Sequence, residues 1–320
     1  MHSWHRLQEE LDLPIVWGGS LEWFASDSRQ ARLANDIAEQ QAWGEPARML
    51  TGAEAQALEP AVNFHGATQV AYSPRDGAID PVLVSKALAA AAIQQGAQVL
   101  ERCEVLGVDD SSDQKGKVLR TSCGPIKADR VVLATGPDPV AVKRFGGFDL
   151  PQRSTPGVIV VTRPVKPLLH GILVAPGIHI HQRMDGRLVI GEQEGAPDTA
   201  AHADRLADRP KRFPDDLVAD QHAQRLLATT RDYLPSIGEV EVDEVLIGWR
   251  PLPVDGHPVI GPSPADDRVY VAIMHSGVSL AAITGDLVAR ELADGLEMAL
   301  LRPFRANRVC LLYTSPSPRD

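Results

Sequence analysis

Two short apolar runs in this chain each leave through a glycine, and they restrict its fold more than any other feature. The first is Arg130-Val131-Val132-Leu133-Ala134-Thr135-Gly136. The second, Val271 to Met274, continues as His275-Ser276-Gly277-Val278-Ser279-Leu280 into a helical pattern expected over Ser279 to Leu292. A β-branched run without polar alternation suits a strand of a parallel sheet. Ligands of open α/β sheets sit at the carboxyl ends of such strands, where glycine lets the backbone come close. The strand–glycine turn–helix order also leaves free N–H groups and the positive end of a helix dipole at the turn.

Between and before these runs the pattern is mixed. Met1 to Leu13 places Trp4, Leu7 and Leu11 at helical spacing. Ile15 to Ala25 reads as strands meeting at Gly18-Gly19, and Ser28 to Trp43 as a polar amphipathic helix. Thr51 can cap a short helix that ends at Glu59-Pro60. Asp80-Pro81 starts a helix that Gly96 stops. Gln98 to Val108 is expected as a strand, with a hairpin over Gly116 to Ser122 and Ile126 to Ala128. From Val158 to Ile190 the chain is β-rich and broken by Gly and Pro, with Asp185-Gly186 as a hairpin signal. This predicts an antiparallel sheet, followed by a helical stretch from about Asp215 to Asp232.

Composition narrows the function. The 320 residues carry a net charge of −10, which argues against nucleic-acid binding, and Arg209-Pro210-Lys211-Arg212 is too short a basic cluster to change that. No apolar run is long enough to span a bilayer. Of the three cysteines, Cys103 and Cys123 lack CxxC or metal-ligand spacing and are expected to be buried, inert thiols in a reduced, cytoplasmic protein. His179 and His181 alternate along a strand and so share a face. That face is partly exposed, or looks into a substrate cavity, or offers two ligands of a metal site that lacks a third. No serine-hydrolase elbow, phosphate-binding Walker loop or His-Glu-x-x-His motif occurs.

A third segment joins the two glycine exits: Gly248-Trp249-Arg250-Pro251-Leu252-Pro253-Val254-Asp255-Gly256-His257-Pro258-Val259-Ile260-Gly261-Pro262. In order and spacing the three together resemble the D-amino-acid oxidase family of FAD-dependent oxidoreductases, over nearly all of Trp4 to Arg305. The resemblance implies an α/β fold in which a Rossmann-like FAD-binding domain, incomplete here, is interleaved with an antiparallel-sheet substrate domain. The FAD domain would comprise residues 76–147 and 247–300, and the substrate domain residues 13–75 and 148–246. The family's Gly-x-Gly-x-x-Gly turn is missing, so an absent amino-terminal βαβ unit is expected. Residues 310–320, including Cys310, resemble a translated sequencing adapter and are expected to be non-native.

The same resemblance implies the chemistry. FAD would lie along Val105 (adenine), Ala134, Thr135 and Gly136 (diphosphate), Gly248, Arg250, and His275, Ser276, Gly277, Val278 and Ser279 (the pyrimidine side of the flavin). His275 is either a flavin contact or a structural histidine. Arg250 would hold the substrate carboxylate, because a planar guanidinium pairs a carboxylate through two charge-assisted hydrogen bonds. His181 is a second candidate in the substrate cavity. The implied reaction oxidises the C–N bond of an amino acid or secondary amine by hydride transfer to the flavin, with oxygen or a quinone as electron acceptor. The alternative is an inactive partial domain, or an accessory flavoprotein subunit, unable to hold FAD alone.

Overall fold

A computed structural model describes residues 2–112, 115–192, 213 and 216–308. The Arg209–Arg212 cluster, Cys310 and the adapter-like tail lie outside the described residues. The chain forms a mixed α/β fold divided into two compact units.

The first unit holds residues 8–88 and 156–248. Its main feature is an eight-stranded sheet in the order Val242–Pro253, Gln152–Thr162, Leu188–Glu192, Ile178–Gln182, Ile172–Ala175, Ser20–Glu22, Gln69–Ser73, Arg48–Thr51, of which residues 152–155 and 249–253 are assigned to the second unit. Antiparallel pairing predominates, with Ile172–Ala175 and Ser20–Glu22 parallel. The Asp-Gly signal is fulfilled: Ile178–Gln182 turns back onto Leu188–Glu192, with Gly186 at φ 86°. Leu173, Ile178, Ile180, Leu188 and Ile190 form the buried face, together with Leu226 and Leu227 of the helix Asp216–Tyr233. Removing such side chains from water is worth roughly 1.5–3 kcal/mol each. Thr51 forms the expected cap, a full capping box with Glu54. Buried Glu59 then accepts hydrogen bonds from the backbone N–H groups of His170 (2.9 Å) and Gly171 (2.8 Å), tying two distant segments together.

The second unit holds residues 2–7, 89–155 and 249–308 of the described chain. Its centre is a three-stranded sheet in the order Val259–Pro262, Val269–Ile273, Val131–Leu133. The last two strands are parallel, pairing Val269 with Val131 and Val271 with Leu133. Both faces of this sheet are covered. Val131, Leu133, Val271 and Ile273 pack with Val142 and Phe148 on one side, while Tyr270 and Met274 pack with Leu287 and Val288 on the other. This is the double burial that the unbroken apolar runs imply. A second three-stranded sheet, Val105–Asp110, Lys117–Thr121 and Gly124–Ala128, is an antiparallel meander. The helix Pro81–Gln94 begins as expected, its first turn held by Asp80 Oδ1 accepting from Val82 N (2.9 Å) and Leu83 N (3.1 Å).

Three expectations need correction. The strand expected over Gln98–Val108 runs instead from Val105 to Asp110, because Arg102 adopts φ 56° and breaks the extended run. The helix expected from Ser279 begins at Ala281. Residues 276–280 make a separate turn, with Leu280 N donating to Ser276 O at 2.9 Å, and the Ser279 carbonyl is taken by Trp4 Nε1 at 3.0 Å. Neither described cysteine is buried: Cys103 is half-buried and Cys123 is exposed. Both sit where the meander opens, outside the sheet core.

Candidate active site

The parallel pairing of Val131–Leu133 with Val269–Ile273 puts the two glycine exits side by side at one edge of the sheet. The first exit is fixed from both ends. Asp138 caps the helix Pro139–Gly146, accepting from Val140 N (3.0 Å) and Ala141 N (3.1 Å). Gln152 Nε2 donates to the Gly136 carbonyl at 3.3 Å. Between these anchors Gly136 takes φ 60°, and a Cβ placed there would meet nothing within 4 Å. A side chain at 136 would therefore be strained and would project into open space.

That open space is a concavity of about 470 Å3 within the second unit. Ala134, Gly136 and Pro137 line it from one exit, and Met274, His275, Gly277 and Val278 from the other. Trp249 and Pro251 close a further side, and Ala281 and Thr284 bring the start of the last helix to its wall. Leu280, at the N-cap, supplies no side-chain acceptor, so although Ala281 N is taken by the Val278 carbonyl at 3.3 Å, the helix brings the positive end of its dipole to this wall. Two buried polar atoms next to the first exit lack a partner: the Thr135 hydroxyl oxygen and Gln152 Oε1. Buried polar atoms are nearly always satisfied, so this pair is placed to meet a polar group of a ligand or an ordered water.

The sequence-predicted residues divide as follows. Ala134, Gly136, His275, Gly277 and Val278 line the concavity together, and Thr135 lies between two lining residues with its hydroxyl unpartnered. Ser276 and Ser279 belong to the turn but not to the lining. Arg250 is half-buried between the lining residues Trp249 and Pro251, is not itself lining, and pairs with no carboxylate among the described residues. Its charge nevertheless reaches His275: partial burial and the Arg250 guanidinium together hold the His275 imidazole below its usual pKa, so it stays neutral at pH 7. Val105, at the start of the meander, does not line the concavity, and Gly248 falls in the first unit.

His181 lies in the first unit. As the alternation requires, it shares a face with His179, opposite buried Ile178, Ile180 and Gln182. It lines a small cavity of about 110 Å3 with Asp80, Arg183 and the apolar residues Val16, Ala78 and Ile79. No group of three or more His, Cys, Asp or Glu side chains that could hold a metal occurs among the described residues. Sequence reading missed Gln152, Trp249, Pro251 and Thr284. Trp249 and Pro251 stood inside a singled-out segment, but Gln152 lies on an extended stretch with no local pattern to mark it.

An apolar cleft at the carboxyl ends of parallel strands, with a helix start on its wall and unpartnered polar atoms at a glycine exit, defines a protein that takes an anionic dinucleotide or flavin cofactor. The family model described as FAD dependent oxidoreductase, DAO, matches residues 1–291, and the chain belongs to that family. It is 32% identical over 269 residues to glycine oxidase of Geobacillus kaustophilus, covering 83% of this chain and 67% of that protein. It is 29% identical over 203 residues to mitochondrial sarcosine dehydrogenase of Mus musculus, covering 60% of this chain and 22% of that protein. The crystal structure of the Geobacillus kaustophilus glycine oxidase superposes with a TM-score of 0.77 at 29% identity, over 94% of this chain and 78% of that one. The chain is thus similar to FAD-dependent amine and amino-acid oxidoreductases, and FAD is the cofactor of its family. The residues present fit that group. The Thr135 hydroxyl can donate to a phosphate oxygen, Gln152 Oε1 can accept from a ribityl hydroxyl, Gly136 leaves room for the group, and the positive end of the helix dipole suits its negative charge.

A substitution separates this fit from mere openness. Gly136→Val is expected to weaken FAD binding at least tenfold, read by flavin fluorescence quenching. Its unfolding midpoint should fall by only a few degrees, since left-handed backbone costs a non-glycine residue about 1–2 kcal/mol. Unchanged FAD binding would place the cofactor elsewhere.

Proposed function

We propose that the protein oxidises the C–N bond of an amino acid, with Arg250 anchoring the substrate carboxylate beside the cleft and the exits at Ala134–Gly136 and His275–Ser279 holding FAD. The observation that carries this reading is the half-buried Arg250 guanidinium without a carboxylate partner among the described residues. Two other partly buried arginines of the second unit, by contrast, are committed: Arg305 pairs with Glu291, and Arg308 with Asp255. A desolvated cation left open beside a cofactor cleft is suited to an anionic ligand. Bound FAD supplies the two-electron acceptor. The chain's own residues supply orientation, fixing the substrate so that its Cα faces the cofactor. Neutral His275 at the rim adds no second positive charge that would compete with Arg250 for the carboxylate. No side-chain base is demanded, because a neutral amine loses a hydride through positioning and cofactor electronics.

Oxygen or a quinone serves as the final acceptor in this reading, and the setting is cytoplasmic, consistent with only three cysteines in 320 residues. The test is a substrate series. FAD-loaded protein is mixed anaerobically with amino acids, N-methyl amino acids and simple amines of matched size, and loss of the yellow absorbance is followed. Bleaching by the carboxylate-bearing compounds, and not by the simple amines, is expected. Equal bleaching by both sets would remove the carboxylate from recognition.

A further inference from the structure

The two described cysteines are separated by 20 positions, yet both lie at the same end of the meander, each in contact with Thr121. Val105 lies opposite Thr121 at the end of the ladder, and just beyond it Ser122 N donates to Glu104 O at 2.9 Å. Glu104 N donates in return to Ser122 Oγ, also at 2.9 Å. These two bonds tie Glu104 to Ser122, and Ser122-Cys123 is the two-residue turn between the second and third strands of the meander, where Thr121 pairs with Gly124. Cys103 is thereby set beside Cys123, whose backbone N–H donates to Thr121 Oγ1 at 3.1 Å. The two thiols are already within hydrogen-bonding reach of each other. Cys103 Sγ also lies 3.3 Å from Thr121 Oγ1. Cys123 is exposed and Cys103 half-buried, so a small reagent can reach the pair.

We propose that Cys103 and Cys123 are a redox-active dithiol that closes to a disulfide on exchange with a low-molecular-weight disulfide. The Cys103 thiolate attacks one sulfur of the reagent, and one reagent thiolate leaves. The Cys123 thiolate then attacks the Cys103 sulfur of the mixed disulfide and displaces the second reagent thiolate. Two protein thiols are oxidised to one disulfide, the reagent is reduced to two thiols, and the two protons pass from the cysteines to the released thiolates. Contacts with Cys123, then Thr121 and Ser122, hold the Cys103 thiol below its ordinary pKa, while the contact with Cys103 raises Cys123, which makes Cys103 the first nucleophile. The bond would pin the end of the strand that carries Val105.

The experiment uses the full chain with Cys310→Ser, so that only Cys103 and Cys123 remain of the three cysteines. It is equilibrated with graded ratios of oxidised to reduced glutathione, then analysed by thiol titration, intact mass and peptide mapping. Both thiols should disappear together, with the mass lower by two hydrogens, no retained glutathione, and one peptide pair joining Cys103 to Cys123. Adding Cys123→Ser should trap a stable glutathione adduct on Cys103. The proposal is overturned if stable adducts build up on both cysteines, if the bond forms between molecules, or if both thiols stay reduced at ratios that modify the single-cysteine variants.

Discussion

Arg250→Ala should lower kcat/KM for amino-acid substrates by on the order of 10²-fold or more, while simple amines of similar size lose no more than a few-fold. Truncating one partner of a desolvated charge pair costs about 2–5 kcal/mol, and the half-burial of Arg250 argues for the lower half of that range. Arg250→Lys should recover little of the loss, because an ammonium cannot reproduce the two parallel hydrogen bonds of a guanidinium. A second readout needs no turnover. Arg250 is one of the two causes that hold the His275 imidazole below its usual pKa, burial being the larger. Removing the guanidinium should move the His275 titration upward in an NMR pH series, even in protein without substrate. If carboxylate and amine substrates lose equally while His275 does shift, Arg250 sits where the structure puts it but does not anchor substrate. If His275 does not move, the two residues are not neighbours in solution.

How far the sequence revealed this site follows from the reach of each signal. The two glycine exits were legible because a doubly buried parallel strand must be apolar throughout, and Val131–Leu133 and Val269–Ile273 have no polar alternation. Asp80 and Thr51 were legible as caps because a cap is decided within three residues, and both made their expected hydrogen bonds. What failed depended on contacts between distant positions. Gln152 reaches the Gly136 carbonyl from 16 residues away, and nothing local marks it. Cys103 and Cys123 read as unrelated, since only the strand register makes them neighbours. The start of the last helix slipped to Ala281 because Trp4, 275 positions earlier, takes the Ser279 carbonyl. Arg102 broke an expected strand through a left-handed backbone that its residue type does not announce.

Lowering the pH from about 6.5 to 4 should destabilise the first unit through His181, and His181→Leu should remove that component. Burial is the main reason its imidazole titrates low, with the charges of His179 and Arg183 adding to it and Asp80 opposing; the result is a pKa of about 4 against the ordinary 6.5. Its Nε2 has no partner, and the Nε of neighbouring Arg183 is equally unsatisfied, although Arg183 Nη1 pairs with Asp80 at 2.9 Å. Because the folded pKa lies below the unfolded one, the unfolded chain binds the extra proton throughout that window, and stability must fall as pH falls. The difference corresponds to about 3 kcal/mol, fully developed only below pH 4 and absent above 6.5. Other carboxylates also titrate near the lower end, so the comparison is between the two proteins: denaturant midpoints measured from pH 7.5 to 4 should diverge steadily in favour of the leucine variant. That variant should also match or exceed the parent at neutral pH, since it replaces an unsatisfied buried nitrogen in a cavity lined by Val16, Ala78 and Ile79 with an apolar group. Parallel pH profiles for the two proteins would mean that His181 finds a proton acceptor or water that its surroundings here do not supply.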